Sequence, residues 1–389
     1  MFDGEILSLS VILLPLATAM IVSALCTPLV AHLARWLQVI DRPNERKVSL
    51  RGEMPLLGGL AVAAGVTAGL LSVDLFFDGD FLPNNRMRGF MFSGGLILAV
   101  GALDDRFGMG AVTKLIAQIA AASIAFHAGF AIESFRFPVS GDSFELVWWV
   151  SYAVTIFWIV AVTNAVNLID GLDGLATGVS IIMAITMTYV CLAADQVPGV
   201  IYGAAIIGGA LGFLPYNFPP ARIFLGDTGA LYLGFSVSLL AVEGYMGGYR
   251  RASVLPFVVP LMALAVPLMD TILSIVRRLR SGTGIFSADS MHMHHQLLRT
   301  EGSHIRAVLF LYLLTACFCS IAICFVILED IYSASVLLVI VIFLTIRLLR
   351  NLGVFSDWNK AETDAAAAEG SARDEAAQSS SGEEGEVLP

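Results

Sequence analysis

Five aspartates stand where a strongly apolar chain breaks. Asp104 and Asp105 lie in L-D-D-R-F-G-M (103–109), Asp170 and Asp173 in N-A-V-N-L-I-D-G-L-D-G-L-A-T-G (164–178), and Asp227 in F-L-G-D-T-G-A-L (224–231). With an amide oxygen from Asn164 or Asn167 they offer hard oxygen donors, which suit Mg²⁺, or Mn²⁺ in its place, better than zinc. Magnesium is usually held by one or two carboxylates and keeps positions for substrate phosphates. Arg46 and Lys47, in D-R-P-N-E-R-K-V-S-L-R-G-E-M-P-L-L-G-G (41–59), and His292, His294 and His295, in M-H-M-H-H-Q-L-L-R (291–299), supply positive charge and donors for such phosphates. Carboxylates, a divalent metal and cationic donors together describe phosphoryl transfer, in which positioning and charge neutralisation account for most of the catalysis. No G-x-x-x-x-G-K-[ST] occurs, which excludes a P-loop nucleotidase.

The elements that must hold these residues are membrane spans. The 389-residue chain is 57% hydrophobic and 14% charged, with mean hydropathy +0.81, which excludes an ordinary soluble domain. Apolar runs predict an all-α integral membrane protein, a bundle of about eleven spans near 7–34, 56–76, 88–103, 111–131, 147–163, 174–194, 199–215, 228–243, 253–277, 306–328 and 331–350. The acidic N-terminus M-F-D-G-E is unlike a signal peptide, so the first run is expected to stay as a span. Glycine pairs Gly58-Gly59, Gly94-Gly95 and Gly208-Gly209 are expected to let helices pack closely. Cys26, Cys191, Cys317, Cys319 and Cys324 sit in apolar runs without metal-ligand spacing and read as small buried hydrophobes.

Charge sets the expected orientation. With the N-terminus outside, the alternate connections on the inner side hold 17 Lys and Arg and those on the outer side five, as cytoplasmic loops should. All five polar motifs then emerge on the cytoplasmic face, together with the C-terminus. The net charge of −10 is concentrated in residues 357–389, with nine Asp/Glu against two Lys/Arg. The chain therefore divides into a membrane body, 1–354, and an acidic tail, 355–389, of the composition of disordered segments. Nothing in this pattern points to nucleic acid.

The motifs D-D-R-F-G-M, N-A-V-N-L-I-D-G-L-D-G-L-A, F-L-G-D-T-G-A-L-Y-L-G and H-M-H-H-Q-L-L-R, preceded by R-K-V-S-L-R-G-E-M-P-L-L-G-G, resemble in type and order those of the polyprenyl-phosphate N-acetylhexosamine-1-phosphate transferase family. The resemblance runs from about residue 7 to 350. It implies that a cytoplasmic UDP-N-acetylhexosamine is attacked at its β-phosphorus by undecaprenyl phosphate, giving a lipid diphosphate sugar and UMP, in the bacterial inner membrane. It further implies Asp227 as first Mg²⁺ ligand with Asn167 as second, and Asp104 and Asp105 as general base or substrate-positioning carboxylates. Asp170 and Asp173 would bind nucleotide and diphosphate, Asn217 would lie near the uracil, and Lys47, His292, His294 and His295 would serve the diphosphate and nucleoside end, with Asn164 among the substrate contacts. The H-x-H-H-x-L-L form is similar to the branch that uses UDP-GlcNAc to start surface polysaccharides, rather than the phospho-MurNAc-pentapeptide branch, whose histidines usually stand in an H-H-H run. A homodimer is known in the family.

Each residue also has a plainer reading. Asp104-Asp105 could be a solvated turn, and Asp170 or Asp173 a helix cap. Lys114 and Arg106 could guide the lipid phosphate or merely anchor a span end, and Asp270 is assigned a supporting place inside a span. A carboxylate-coupled transporter would require deep acidic residues in several spans and an internal repeat. Only Asp270 is clearly deep, and the motifs do not repeat between halves.

Overall fold

The computed structural model describes residues 9–41, 53–77, 81–136, 143–246, 261–269, 271, 275 and 303–328, with a few positions between 336 and 347. Among the described residues the long helices are α1 (Leu9–Trp36), α2 (Gly58–Phe76), α3 (Asn84–Phe107), α4 (Ala111–His127), α5 (Trp148–Ile169), α6 (Leu175–Ala193), α7 (Val197–Asn217), α8 (Gly226–Met246) and α9 (His304–Leu328). Seven of them, all but α4 and α8, are long and apolar enough to cross a membrane. Their outward faces carry large apolar side chains, such as Leu29 at 69% exposure, Phe157 at 75% and Leu313 at 63%, which water would penalise and lipid would not. The expected spans at 253–277 and 331–350 fall largely outside the described residues.

The centre of the bundle is α8. Every residue from Thr228 to Gly244 is buried, because α3, α5, α6, α2 and α7 pack around it. A helix without a polar face can sit nowhere else but in a core or in lipid. It runs antiparallel to α3, and the two are fastened at both ends. Asp105 near the end of α3 accepts hydrogen bonds from the start of α8, while Arg86 near the start of α3 pairs with the fully buried Glu243 near the end of α8 at 3.3 Å. A buried carboxylate this far from water requires such a partner.

Small residues let the helices close. α1 packs on α2 and α7, where a Cβ at Gly65 would meet the Ala19 carbonyl, and one at Gly208 or Gly212 the carbonyl of Leu16 or Met20. Of the glycine pairs singled out in the sequence, Gly58, Gly59, Gly94, Gly208 and Gly209 stand at close approaches, whereas Gly95 faces open space.

Two short antiparallel ribbons are additions to the all-α expectation: β1 (Ile40–Asp41) with β2 (Met54–Pro55), and β3 (Ser134–Arg136) with β4 (Ser143–Glu145). Strands of two or three residues are too short for alternation to register. The first ribbon serves the site. Directly after β2, Gly58 and Gly59 donate their N–H groups to the carbonyls of Phe224 and Leu225 (both 3.1 Å), and Phe224 donates to the Pro55 carbonyl (2.9 Å). The loop before α8 is thus held as though it were an extra strand.

Gly59 and Gly95 provide a matched test. A Cβ at Gly59 would strike the Gly229 backbone, which has no room to retreat, so Gly59→Val should lower stability by about 1–3 kcal/mol. Gly95→Ala meets nothing within 4 Å and gains helix propensity, so its melting temperature in detergent should equal or slightly exceed that of the parent. Equal losses in both variants would contradict this packing.

Candidate active site

The site is built where the ends of α3 and α5 and the starts of α4, α6 and α8 gather. Asp104, Asp105, Asn164 and Asn167 lie on the last turns of α3 and α5 and not on loops, since both helices extend past the apolar stretch that marks them in sequence. α3 ends at Gly108, which adopts φ +67° as a left-handed cap. The reversal lets the Met109 N–H donate to Asp104 Oδ1 at 2.5 Å and sends α4 back alongside. One turn into α4, Lys114 Nζ then reaches Asp104 Oδ2 at 2.8 Å and Asp227 Oδ2 at 2.9 Å.

Asp105 has a different task. Its Oδ1 accepts the Asp227 N–H at 2.8 Å, and its Oδ2 accepts the Thr228 N–H at 3.1 Å and the Thr228 hydroxyl at 2.5 Å. A carboxylate here satisfies N–H groups that a helix start leaves unpaired and complements the helix dipole. The approach requires glycine at 226, where φ is +71° and a Cβ would run into the Asp105 carboxylate. Gly101, one turn earlier on α3, admits the Thr228 backbone in the same way, since a Cβ there would lie 2.5 Å from Thr228 Cα.

The turn between α5 and α6 supplies the remaining carboxylates. Asp173 Oδ2 accepts the Ala221 N–H at 3.0 Å. Tyr312 of α9 donates its hydroxyl to the Gly174 carbonyl at 2.5 Å and so covers the turn. Asp170 caps α5, and its carboxyl is pushed well above the ordinary range, first by burial and then by the negative charges of Asp227, Asp105 and Asp173. A cation placed among them would reverse that effect.

The asparagines divide by what they touch. Asn164 donates to Gln118 Oε1 on α4 at 2.5 Å and to the Val160 carbonyl at 2.8 Å, and Gln118 returns a bond to its Oδ1 at 3.3 Å. Asn217, 2% exposed, accepts from Thr177 Oγ1 at 2.8 Å and donates to the Ile223 carbonyl at 3.1 Å, so it braces the loop that leads to α8. Asn167 is the exception: its Oδ1 is buried among the described residues without a hydrogen-bond partner. Such an atom costs stability unless a bound group completes it.

Among the described residues no three His, Cys, Asp or Glu side chains close on one point. A Mg²⁺ site drawing on one carboxylate, an amide oxygen and substrate phosphates requires no such trio. The orphaned Asn167 Oδ1 and the surplus of like charge around Asp170 both fit a hard divalent cation. Lys47, His292, His294 and His295 lie outside the described residues.

Two contributors, Lys114 and Gln118, lie outside the motifs, and a third, Thr228, lies inside F-L-G-D-T-G-A-L. Lys114 is read in sequence as phosphate guide or anchor alike, and Gln118 and Thr228 are not singled out; only the i, i+4 spacing of Lys114 and Gln118 in an otherwise apolar run hints at a shared face. Arg106, the other candidate guide, donates to the Leu37 carbonyl and ties the end of α3 to that of α1.

Comparison with known proteins shows which family the chain resembles. Residues 87–245, which include Asp104, Asp105, Lys114, Asn167, Asp170 and Asp227, match the profile of glycosyl transferase family 4. The chain is 38% identical over 288 residues to the probable undecaprenyl-phosphate N-acetylglucosaminyl 1-phosphate transferase of Bacillus subtilis (strain 168), covering 74% of this chain and 77% of that one. It is 35% identical over 315 residues to the decaprenyl-phosphate N-acetylglucosaminephosphotransferase of Mycobacterium tuberculosis (strain ATCC 25618 / H37Rv), with 76% and 78% covered. It is 31% identical over 316 residues to the phospho-N-acetylmuramoyl-pentapeptide-transferase of Desulforudis audaxviator (strain MP104C), with 74% and 90% covered.

The two halves of the Asp105 clamp should separate by stability. Thr228→Val removes one hydroxyl donor and should cost about 1–2 kcal/mol, whereas Asp105→Ala strips the acceptor from three donors and should cost about 3 kcal/mol or more. Thermal unfolding of both variants in detergent checks the order; an Asp105→Ala protein as stable as the parent would contradict it.

Proposed function

Because the chain belongs to glycosyl transferase family 4, we propose that it moves N-acetylhexosamine 1-phosphate, GlcNAc 1-phosphate foremost, from a UDP-sugar to undecaprenyl phosphate and releases UMP. The observation that carries this reading is the junction of Asp104, Lys114 and Asp227, a set of charges and donors suited to phosphates. The Asn167 Oδ1 on the last turn of α5, buried without a partner among the described residues, adds an amide oxygen free to take a ligand. The names of the relatives supply the acceptor and the sugar, and the Bacillus subtilis GlcNAc relative, at 38% identity, stands above the pentapeptide transferase at 31%. The 17-to-5 distribution of Lys and Arg supports a site facing the cytoplasm of a bacterial inner membrane. The transferase body is assigned to residues 1–354, and the dimer known in the family is kept as a proposal.

In the reaction an acceptor phosphate oxygen bonds to the β-phosphorus of the sugar nucleotide, and the bond from that phosphorus to the bridging oxygen breaks, leaving UMP. The second pKa of a phosphate monoester is about 6, so the acceptor is mostly dianionic at neutral pH and requires little from a base. Asp105 is committed to the α8 backbone and is assigned to positioning; Asp104 is assigned to the acceptor side together with Lys114. Asp227 and Asn167 would hold Mg²⁺, with Asp170 beside them. Bound there, the ion would polarise the diphosphate and offset the charge gathering on the leaving group. Asp173, Lys47, His292, His294 and His295 are assigned to the nucleotide end, and Asn164 and Asn217 act through the helices and loop they brace.

Purified protein in detergent should convert UDP-GlcNAc and undecaprenyl phosphate to lipid product and UMP with Mg²⁺ and not with EDTA. UDP-GalNAc and UDP-MurNAc-pentapeptide should compete poorly. Asp227→Ala should lose roughly 10²–10³-fold in turnover while still eluting as a monodisperse, folded protein. Normal turnover by that variant would remove Asp227 from the site, and absence of product from every UDP-sugar would overturn the transferase reading.

A further inference from the structure

Lys114 occupies an unusual position for a residue of an apolar helix. Its ammonium lies 2.8 Å from Asp104 Oδ2 and 2.9 Å from Asp227 Oδ2, and so joins carboxylates on two different helices. The two partners are not held alike. The second oxygen of Asp104 is fixed by the Met109 N–H and only 10% of its side chain is exposed, whereas 31% of the Asp227 side chain is exposed. The backbone of α4 is held independently, one turn further on, by the reciprocal amide pair of Gln118 and Asn164. The lysine stem can therefore swing without moving its helix, since it carries a compact charge on four rotatable carbons.

An ammonium on Asp227 would compete with a divalent cation for the same carboxylate. Two cations on one carboxylate repel each other, more strongly in a partly desolvated site than in water. Resting on the reading of Asp227 as a metal ligand, we infer that Lys114 is a resident counter-cation, displaced from Asp227 when the divalent metal binds. Loading the metal and freeing the Lys114 ammonium are then one event. The freed ammonium stays beside Asp104, where an incoming phosphate monoester would meet it. The metal-free protein is spared an uncompensated Asp227, and the site gains its free phosphate-binding cation only when the metal is in place.

Mn²⁺ binding to the purified full chain in detergent, without nucleotide or lipid, tests this by loss of the free Mn²⁺ paramagnetic resonance signal. Lys114→Met should bind Mn²⁺ roughly five- to tenfold more tightly than the parent, because the competing charge is gone. Lys114→Arg, which keeps the charge, should stay within about twofold. The metal-free melting temperature of Lys114→Met should fall and be restored by Mn²⁺; if that variant fails to fold, Lys114→Gln takes its place. Unchanged or weaker binding in Lys114→Met, or equal shifts in the Met and Arg variants, would overturn the inference. Asp227→Asn separates it from the reading beneath it: a loss of Mn²⁺ affinity upholds Asp227 as ligand whatever Lys114 does, while unaltered affinity removes both.

Discussion

The structure depends on one carboxylate meeting one helix start. α8 is enclosed by five other helices, and the first N–H groups of a helix have no partner within it. Asp105 supplies the acceptor, and the glycines at 101 and 226 let the backbones come close enough for it to do so. Where α8 begins, Asp227 follows, and its position relative to Lys114 and Asp104 is a consequence of that clamp. At the other end of the same pair of helices Arg86 and Glu243 hold the register, about 24 Å away along a helix rising 1.5 Å per residue. The reactive end can therefore be crowded with like charge, as Asp170 reports, without the helices parting.

Much of this arrangement can be read in the amino-acid order, and the portion that cannot has physical causes. The aspartates and asparagines are conspicuous because polar residues interrupt apolar runs only for a reason. Their division of labour is not visible there. Asp104 and Asp105 are neighbours of identical type, yet successive residues on a helix point about 100° apart, so one turns to Lys114 and the other to the α8 backbone. Asn164 and Asn167 differ in the same way, one spent on Gln118 and the other left open. Asn217 falls on a recognisable motif but is fully engaged in bracing its loop. Lys114 and Gln118 evade a motif search because the α3–α4 reversal is needed to bring Lys114 back to Asp104, and their other partners, Asp227 on α8 and Asn164 on α5, lie 113 and 46 residues away.

Helix ends were the least legible feature of the fold. Hydropathy places the third span at 88–103, but α3 runs from Asn84 to Phe107, since a helix continues past its apolar stretch wherever the ends find acceptors and donors. Those polar extensions carry Asp104, Asp105, Asn164 and Asn167. The bundle's apolar surface, its glycine contacts and its charge asymmetry belong to a membrane protein, and its polar ends carry the residues proposed to act on phosphates.

The central claim is that the bond broken lies between two phosphorus centres and not between sugar and phosphate, and a label on one atom tests it. UDP-GlcNAc carrying ³²P only at the β-position, incubated with the purified protein, undecaprenyl phosphate and Mg²⁺, should place the label in the lipid product and leave the released nucleotide as unlabelled UMP. Label retained in released UDP, with an unlabelled sugar lipid, would mean simple glycosyl transfer and would contradict the account.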